Sequence, residues 1–236
     1  MKTTIERFRD YLVVERNASD HTVSAYIRDL TQFHTWLCEL AEHTEVQTDA
    51  VDRGTVRAWL GVLTERGLSR RSISRKITSL RSFFRFAEQR GFAAANPTAD
   101  LHSIKIDKTL PTFIDEDSMR ALLRVPDINT IEGERDAAIL ELFYSTGMRL
   151  SELVALDRKD ISRESGTIRV LGKRRKERIL PVGAPALAAL QHALALRDRG
   201  VAAGERQVID TEAIFLNKRG KRLTSRSVYS IVHEHL

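Results

Sequence analysis

Apolar side chains recur at helical spacing through the first 95 residues, and the recurrence stops at Asn96-Pro97. Ile5, Phe8, Tyr11 and Leu12 form the first stripe. Asp20 reads as the N-cap of a second helix carrying Val23, Tyr26, Ile27, Leu30, Phe33 and Leu37. Gly54 opens a third with Val56, Trp59, Leu60 and Leu63, closed by Gly67. Ser69 starts a fourth that runs to about Arg90 and stops at Gly91. No strand signal interrupts them, so residues 1–95 are expected to form a four-helix domain. Residues 96–111 hold two prolines and no sustained period, and read as a linker.

Residues 112–236 have a different character. Helices are expected at 116–125, 133–145, 150–156, 184–199 and from Ser225 onward. Thr167–Leu171 and Arg178–Val182 alternate as two strands around Gly172-Lys173-Arg174-Arg175-Lys176, and Ala213–Leu216 reads as a further short strand. The expected fold class is mainly α: a four-helix N-terminal domain followed by an α+β domain with a small β-hairpin.

Composition narrows the function classes. Cys38 is the one cysteine, which excludes an internal disulfide and a multi-cysteine metal site and makes a reducing cytoplasm the default compartment. No run approaches the ~20 apolar residues of a membrane helix, and the N-terminal segment has acids where a signal peptide needs an apolar core. No membrane partner and no signal peptide are expected. The net charge of +6 leans toward an anionic partner, but only clustering makes that argument.

The clustering is in the fourth helix. Between Arg66 and Arg90 there are eight Lys/Arg and one acid, Glu88. At about 100° per residue, Ile73, Ile77, Leu80, Phe83 and Phe84 share one arc. Arg70, Arg71, Arg75, Arg81 and Arg85 occupy the opposite one. A solvated helix face usually mixes signs, whereas this one is a ridge of guanidinium groups suited to phosphate. Ser72, Ser74, Ser79 and Ser82 add hydroxyls for a sugar–phosphate backbone. Phe83 and Phe84 belong to the core, and the lack of stacking aromatics on the basic arc argues against an RNA-binding module.

Two further features concern chemistry. In ILELFYSTGMRLSELVAL, two helices meet at Ser145-Thr146-Gly147, which holds Arg149 at a corner between apolar Met148 and Leu150. Such an arginine either presents its fork to a phosphate or forms a local ion pair with Glu152; Glu152 is also placed to orient it for the first role. The hairpin carries Arg169, Lys173, Arg174, Arg175, Lys176 and Arg178 against Glu177 only. Crowded cations make a lysine easier to deprotonate, as a proton donor to a leaving alkoxide requires; the bland reading is a nonspecific basic loop. His233 and His235 read as surface, Asp115-Glu116-Asp117 as an acidic helix start, and no metal-ligand spacing or glycine-rich nucleotide loop is present. The chemistry expected is metal-free, with Arg and Lys acting on phosphate.

The segments TIERFRDYLVVERNASDHTVSAYIRDLTQFHTWL, NPTADLHSIKIDKTLP, STGMRLSELVALDRKDI, TIRVLGKRRKERILPV and AIFLNKRGKRLTSRSV cover nearly the whole chain in order. Together with the arginine helix they resemble the bacterial Xer site-specific recombinases of the tyrosine recombinase (phage-integrase-like) family. The resemblance implies a SAM-like core-binding domain followed by part of a catalytic domain, clamping double-stranded DNA at a recombination site. It implies no cofactor and no metal, and a second Xer-type recombinase in a tetramer on DNA. The family's first catalytic arginine matches Arg149, its hairpin lysine matches Lys173, and the acid that braces the arginine matches Glu152. Where the family commonly has glycine after the lysine, this chain has Arg174, which keeps Lys176 as a fallback for the acid role. Arg174, Arg175 and Lys176 join the ridge arginines as expected DNA contacts.

The family's HxLRH motif, its following His or Trp, and its nucleophilic tyrosine have no counterpart in these residues. Tyr229 sits in the helix before the place of that motif, and Tyr11, Tyr26 and Tyr144 read as helix-face core. The sequence therefore reads as a truncated recombinase that binds DNA without cleaving it. The full-length protein is expected to act through a 3′-phosphotyrosyl intermediate in chromosome dimer resolution. A non-catalytic DNA-binding protein using the same clamp is the alternative.

Overall fold

A computed structural model describes residues 1–101, 113–172 and 176–236. Most of the expected linker and three hairpin residues, Lys173, Arg174 and Arg175, lie outside the described residues. The chain divides into two compact units, Met1–Leu110 and Pro111–Leu236.

The first unit holds α1 (Lys2–Asp10), α2 (Asp20–Ala41), α3 (Arg53–Glu65) and α4 (Arg70–Gln89), with a π-helical turn over Tyr11–Glu15 extending α1. The cap of α2 is Ser19, one residue before the expected Asp20, because its hydroxyl accepts the Thr22 amide at 3.3 Å. Asp52 rather than Gly54 starts α3, accepting the Thr55 amide at 2.7 Å. Ser69 caps α4 as expected, accepting the Ser72 amide. The apolar stripes converge on Phe8, Leu30, Phe33, Trp59, Leu80, Phe83 and Phe84. Phe8 and Phe83 meet edge to face with centroids 5.6 Å apart. Each such buried side chain contributes about 1.5–3 kcal/mol, which is what holds four short-looped helices together. Thr98 and Leu101, in the stretch expected as linker, are buried in this unit.

The second unit runs α5 (Glu116–Leu122), α6 (Ile131–Thr146), α7 (Leu150–Ala155), β1 (Ile161–Ser162), β2 (Thr167–Leu171), β3 (Glu177–Pro181), α8 (Ala184–Ala202) and α9 (Ser225–His235). Asp115 caps α5, as its acidic start led one to expect. The strands form one antiparallel sheet in the order β1-β2-β3, with Val170 opposite Arg178 and Arg169 opposite Ile179. Ile168 and Val170 are buried on one face of β2 while Arg169 and Leu171 lie on the exposed one. The core joins Ala138, Ile139 and Leu142 of α6 to Ala186, Leu190 and Leu194 of α8, with Ile168, Val170, Leu153 and Val228 around them.

Ala213–Leu216 is not a strand: it makes isolated bridges, Asp157 with Ala213 and Leu216 with Arg222. The carbonyls of Ala213 and Ile214 are taken instead by Arg197 Nη1, at 2.8 Å each. Tyr144 is exposed rather than core. His235 is half-buried rather than surface, its Nε2 3.6 Å from Asp136 Oδ2.

Candidate functional site

The corner after α6 is made by Gly147, whose φ of 59° ends the helix in a left-handed turn. Met148 is buried beneath it, and Arg149 follows in an extended conformation as the N-cap of α7. Glu152, at the third position of α7, reaches back to Arg149. One carboxylate oxygen accepts the Arg149 amide at 2.8 Å, and the other accepts its Nη1 at 2.9 Å. The pair foreseen as the bland reading of Arg149 is therefore present. Its asymmetry matters more: the Glu152 side chain is 2% exposed and that of Arg149 is 62%. The buried carboxylate fixes the base of the fork, and the rest of the guanidinium faces solvent.

A second cation completes this arrangement. Arg178 lies opposite buried Val170, on the inner face of β3, and its Nη2 donates to Glu152 Oε2 at 2.7 Å. Burial alone pushes the Glu152 carboxyl up. The hydrogen bonds from the Arg149 amide, the Arg149 guanidinium and Arg178 outweigh it and hold the group below the ordinary glutamate value. Two residues that open and close the hairpin turn are also tied here. The Gly172 amide donates to the Lys176 carbonyl at 2.8 Å, and a methyl on Gly172 would stand 3.7 Å from Glu152 Oε1. Gly172 thus brings the start of the basic turn against the carboxylate that braces Arg149. Lys176 is exposed. Lys173, Arg174 and Arg175, all expected site residues, lie outside the described residues.

The hairpin is less unbalanced than its sequence implies. Arg169 pairs with Asp160 at 3.1 Å and approaches Glu177 at 4.0 Å, and Arg178 pairs with Glu152. Among the described hairpin cations, Arg169 and Arg178 are thus paired with acids, and two of those acids, Asp160 and Glu152, lie outside the hairpin. The sequence groups Arg178 with the other hairpin cations; the sheet register, which sets it opposite Val170, is what brings it to Glu152.

On α4 the ridge residues Arg70, Arg71, Arg75 and Arg85 are exposed and Arg81 is half-buried. Arg81 and Arg85 line a groove with Tyr11, Tyr26, Arg16 and Ser82. Two positions differ from the sequence expectation. Ser79 is fully buried and donates to Asp29 Oδ2 at 2.9 Å, so it is unavailable to a sugar–phosphate backbone. Arg75, although exposed, donates its Nη1 to the same buried Asp29. Arg75 therefore ties the ridge to α2. Asp29 was missed because nothing in the pattern of α2 marks a charged residue between Ile27 and Leu30 as buried.

Among the described residues no group of three or more His, Cys, Asp or Glu is placed to hold a metal ion, and no helix is long and apolar enough to cross a membrane.

Comparison with known proteins gives consistent matches. Residues 112–236 match the phage integrase family, and residues 5–91 match the phage integrase N-terminal SAM-like domain. The chain is 42% identical over 231 residues to the tyrosine recombinase XerC of Oceanobacillus iheyensis, covering 98% of this chain and 74% of that protein. It is 36% identical over 236 residues to the tyrosine recombinase XerD of Staphylococcus aureus, covering 100% of this chain and 77% of that protein. Among solved structures, the Tn1549 transposon integrase in complex with transposon right end DNA superposes with a TM-score of 0.71 at 19% identity, over 98% of this chain and 77% of that one. A lambda integrase dimer bound to a core site gives 0.67 at 17%, over 100% and 77%. At those identities the superpositions speak for the fold.

Proposed function

This chain belongs to the Xer-type tyrosine recombinases of the phage integrase family, enzymes that break and rejoin DNA strands, and we propose that Arg149 is the residue of this chain that stabilises charge on the scissile phosphate. The observation that carries the proposal is the buried Glu152 carboxylate holding one edge of an otherwise exposed guanidinium. In phosphoryl transfer the nonbridging oxygens gather charge in the transition state, and a donor fixed in advance stabilises it without reorganising. Glu152 and Arg178 supply that fixation.

The remaining roles follow from the family chemistry. A tyrosine attacks a DNA phosphodiester and the 5′-oxygen departs. Lys173, next in sequence to the Gly172 that abuts Glu152, gives that oxygen its proton. The ester keeps the energy of the broken bond, so rejoining needs no nucleotide. Domain limits of 1–95 and 112–236 with the linker between them, the ridge of α4 and the cations Arg174, Arg175 and Lys176 form the proposed duplex-binding apparatus. Its partners are a double-stranded recombination site and further Xer-type protomers, four on two sites. Chromosome dimer resolution in the cytoplasm is the biological role that fits a protein of this kind. None of Tyr11, Tyr26, Tyr144 and Tyr229 stands in the family's nucleophile motif. A polypeptide of these 236 residues alone is accordingly expected to bind duplex DNA and leave it covalently unchanged.

A nicked suicide duplex tests this. Incubated with the 236-residue polypeptide, it should shift on a native gel and yield no protein–DNA ester on a denaturing gel. A polypeptide that also carries the HxLRH segment and its tyrosine should yield the ester, and Arg149→Ala should slow its formation by about 10²-fold or more. An ester formed by the 236 residues alone, or one formed equally well without Arg149, overturns the assignment.

A further inference from the structure

A carboxylate under a row of arginines weakens their hold on phosphate unless it has another task. Asp29 of α2 is such a carboxylate, 1% exposed. Its Oδ1 accepts Lys76 Nζ at 2.9 Å, and its Oδ2 accepts Ser79 Oγ at 2.9 Å and Arg75 Nη1. Lys76 is itself 4% exposed, bonded also to Gln32 and held 5.6 Å over the Trp59 ring. Lys76 already matches the buried charge of Asp29, so burial alone does not require Arg75. Arg75 nevertheless spends Nη1 on Asp29 and, at 3.5 Å, on the Ala25 carbonyl, while its side chain stays 44% exposed. Among the described residues its Nε and Nη2 have no partner.

We infer that Asp29 is a positioning residue for DNA binding: it pins the guanidinium of Arg75 at the seam between α2 and α4, so that the unused edge takes one backbone phosphate. The inference rests on the reading of the α4 face as a duplex surface. Arginine suits this task because its planar fork serves two partners at once, whereas an ammonium is a point charge. A fork held in place before DNA arrives loses less side-chain freedom on binding than a loose one.

The sign of one substitution separates this from simple electrostatics. If Asp29 acts only through its charge, Asp29→Asn removes repulsion and tightens DNA binding. If it positions Arg75, Asp29→Asn weakens binding. The measurement is duplex affinity of the 236-residue chain by fluorescence anisotropy across a salt series. Arg75→Ala is expected to weaken binding about tenfold and to reduce the salt slope by about 0.9. Asp29→Asn is expected to weaken binding several-fold in the parent and not at all in Arg75→Ala. Arg75→Lys, which keeps the charge and the Asp29 pair, is expected to bind closer to Arg75→Ala than to the parent. Circular dichroism reports whether Asp29→Asn is folded; if it is not, Arg75→Lys decides. Tighter binding by folded Asp29→Asn, or parent-like binding by Arg75→Lys, overturns the inference. Arg71→Ala and Arg85→Ala identify which statement has failed: if they lower the slope, the duplex surface stands and only the role of Asp29 falls, and if they too leave it unchanged, the surface itself is wrong.

Discussion

Arg178 Nη2 meets Glu152 Oε2 at 2.7 Å, joining β3 to α7 across 26 residues of sequence. The same carboxylate caps α7 and braces Arg149, so one buried group serves a helix end, a strand and the proposed catalytic arginine. Glu152→Ala is expected to cost about 2 kcal/mol, since hydrogen bonds to a charged group contribute about 1.5–3 kcal/mol and the arginines can rehydrate in part. Glu152→Gln keeps an acceptor for the Arg149 amide and should cost less. The midpoints of urea unfolding for the two variants and the parent check the order.

Acid should expose the same linkage. The Glu152 carboxyl is lowered in the folded chain relative to its ordinary value of 4.5. A group lowered by folding contributes stability that is complete above its unfolded value and is lost as pH falls through the folded one. The parent should therefore lose stability below about pH 4.5, and Glu152→Gln should lose less over the same interval while starting lower at neutral pH. Asp157 and Asp198 are also lowered, the first by its hydrogen bond from Arg222 and the second, against burial, by Arg158, so the comparison is between variant and parent at each pH. Identical acid limbs for the two proteins would refute the assignment.

Chemistry separates Arg149 from the hairpin lysine, in a polypeptide that carries the HxLRH segment and its tyrosine. Arg149→Ala should slow cleavage by about 10²-fold or more, the usual effect of deleting one preorganised stabiliser of transition-state charge. Lys173→Ala should also be slow, and a substrate with sulfur in place of the 5′-bridging oxygen should restore it, because a thiolate leaves without a proton. No such rescue is expected for Arg149→Ala. Rescue of Lys176→Ala instead would shift the acid role along the turn.

On α4, Arg71 and Arg85 should behave differently from Arg75 toward stability. Neutralising either of the first two is expected to change stability by less than about 0.5 kcal/mol and to flatten the salt dependence of DNA binding by about one phosphate's worth. Arg75→Ala removes a partner from buried Asp29 and should lower stability by about 1 kcal/mol as well. Thermal melts beside the binding series distinguish the two kinds of arginine.

Most helices were legible because their signals are local: α2, α3, α4, α6 and α9 each combine apolar residues at helical spacing with a side-chain cap at the first turn. The antiparallel pair of Thr167–Leu171 with its successor was legible for the same local reason, although β3 begins one residue earlier than its alternation implied. What escaped depends on partners far along the chain. Arg75 sits on the edge of a helical wheel, and only the arrival of Asp29, 46 residues away, turns it inward at one nitrogen. Ser79 reads as a surface hydroxyl until the same acid covers it. Ala213–Leu216 has strand composition, but Arg197 takes carbonyls a neighbouring strand would use. At the corner, Arg149 and Glu152 were visible as a pair, because they are one helical turn apart. Arg178 was not, because its contact depends on the register of a sheet.

Arg222 carries one more consequence. Its guanidinium meets the carbonyls of Val154 and Leu156 at 3.1 and 3.0 Å, Asp157 at 2.5 Å and Asp210 at 3.0 Å. Those carbonyls close the far end of α7, a helix of 6 residues that is too short to persist by itself. Arg149 stands at one end of this helix and Arg222 closes the other. Neither end of α7 is closed by neighbouring turns of its own backbone alone: Glu152 takes the Arg149 amide at the start, and Arg222 takes the Val154 and Leu156 carbonyls at the finish. The short helix that carries the proposed catalytic arginine thus has its far end stapled by a residue 66 to 68 positions further along the chain.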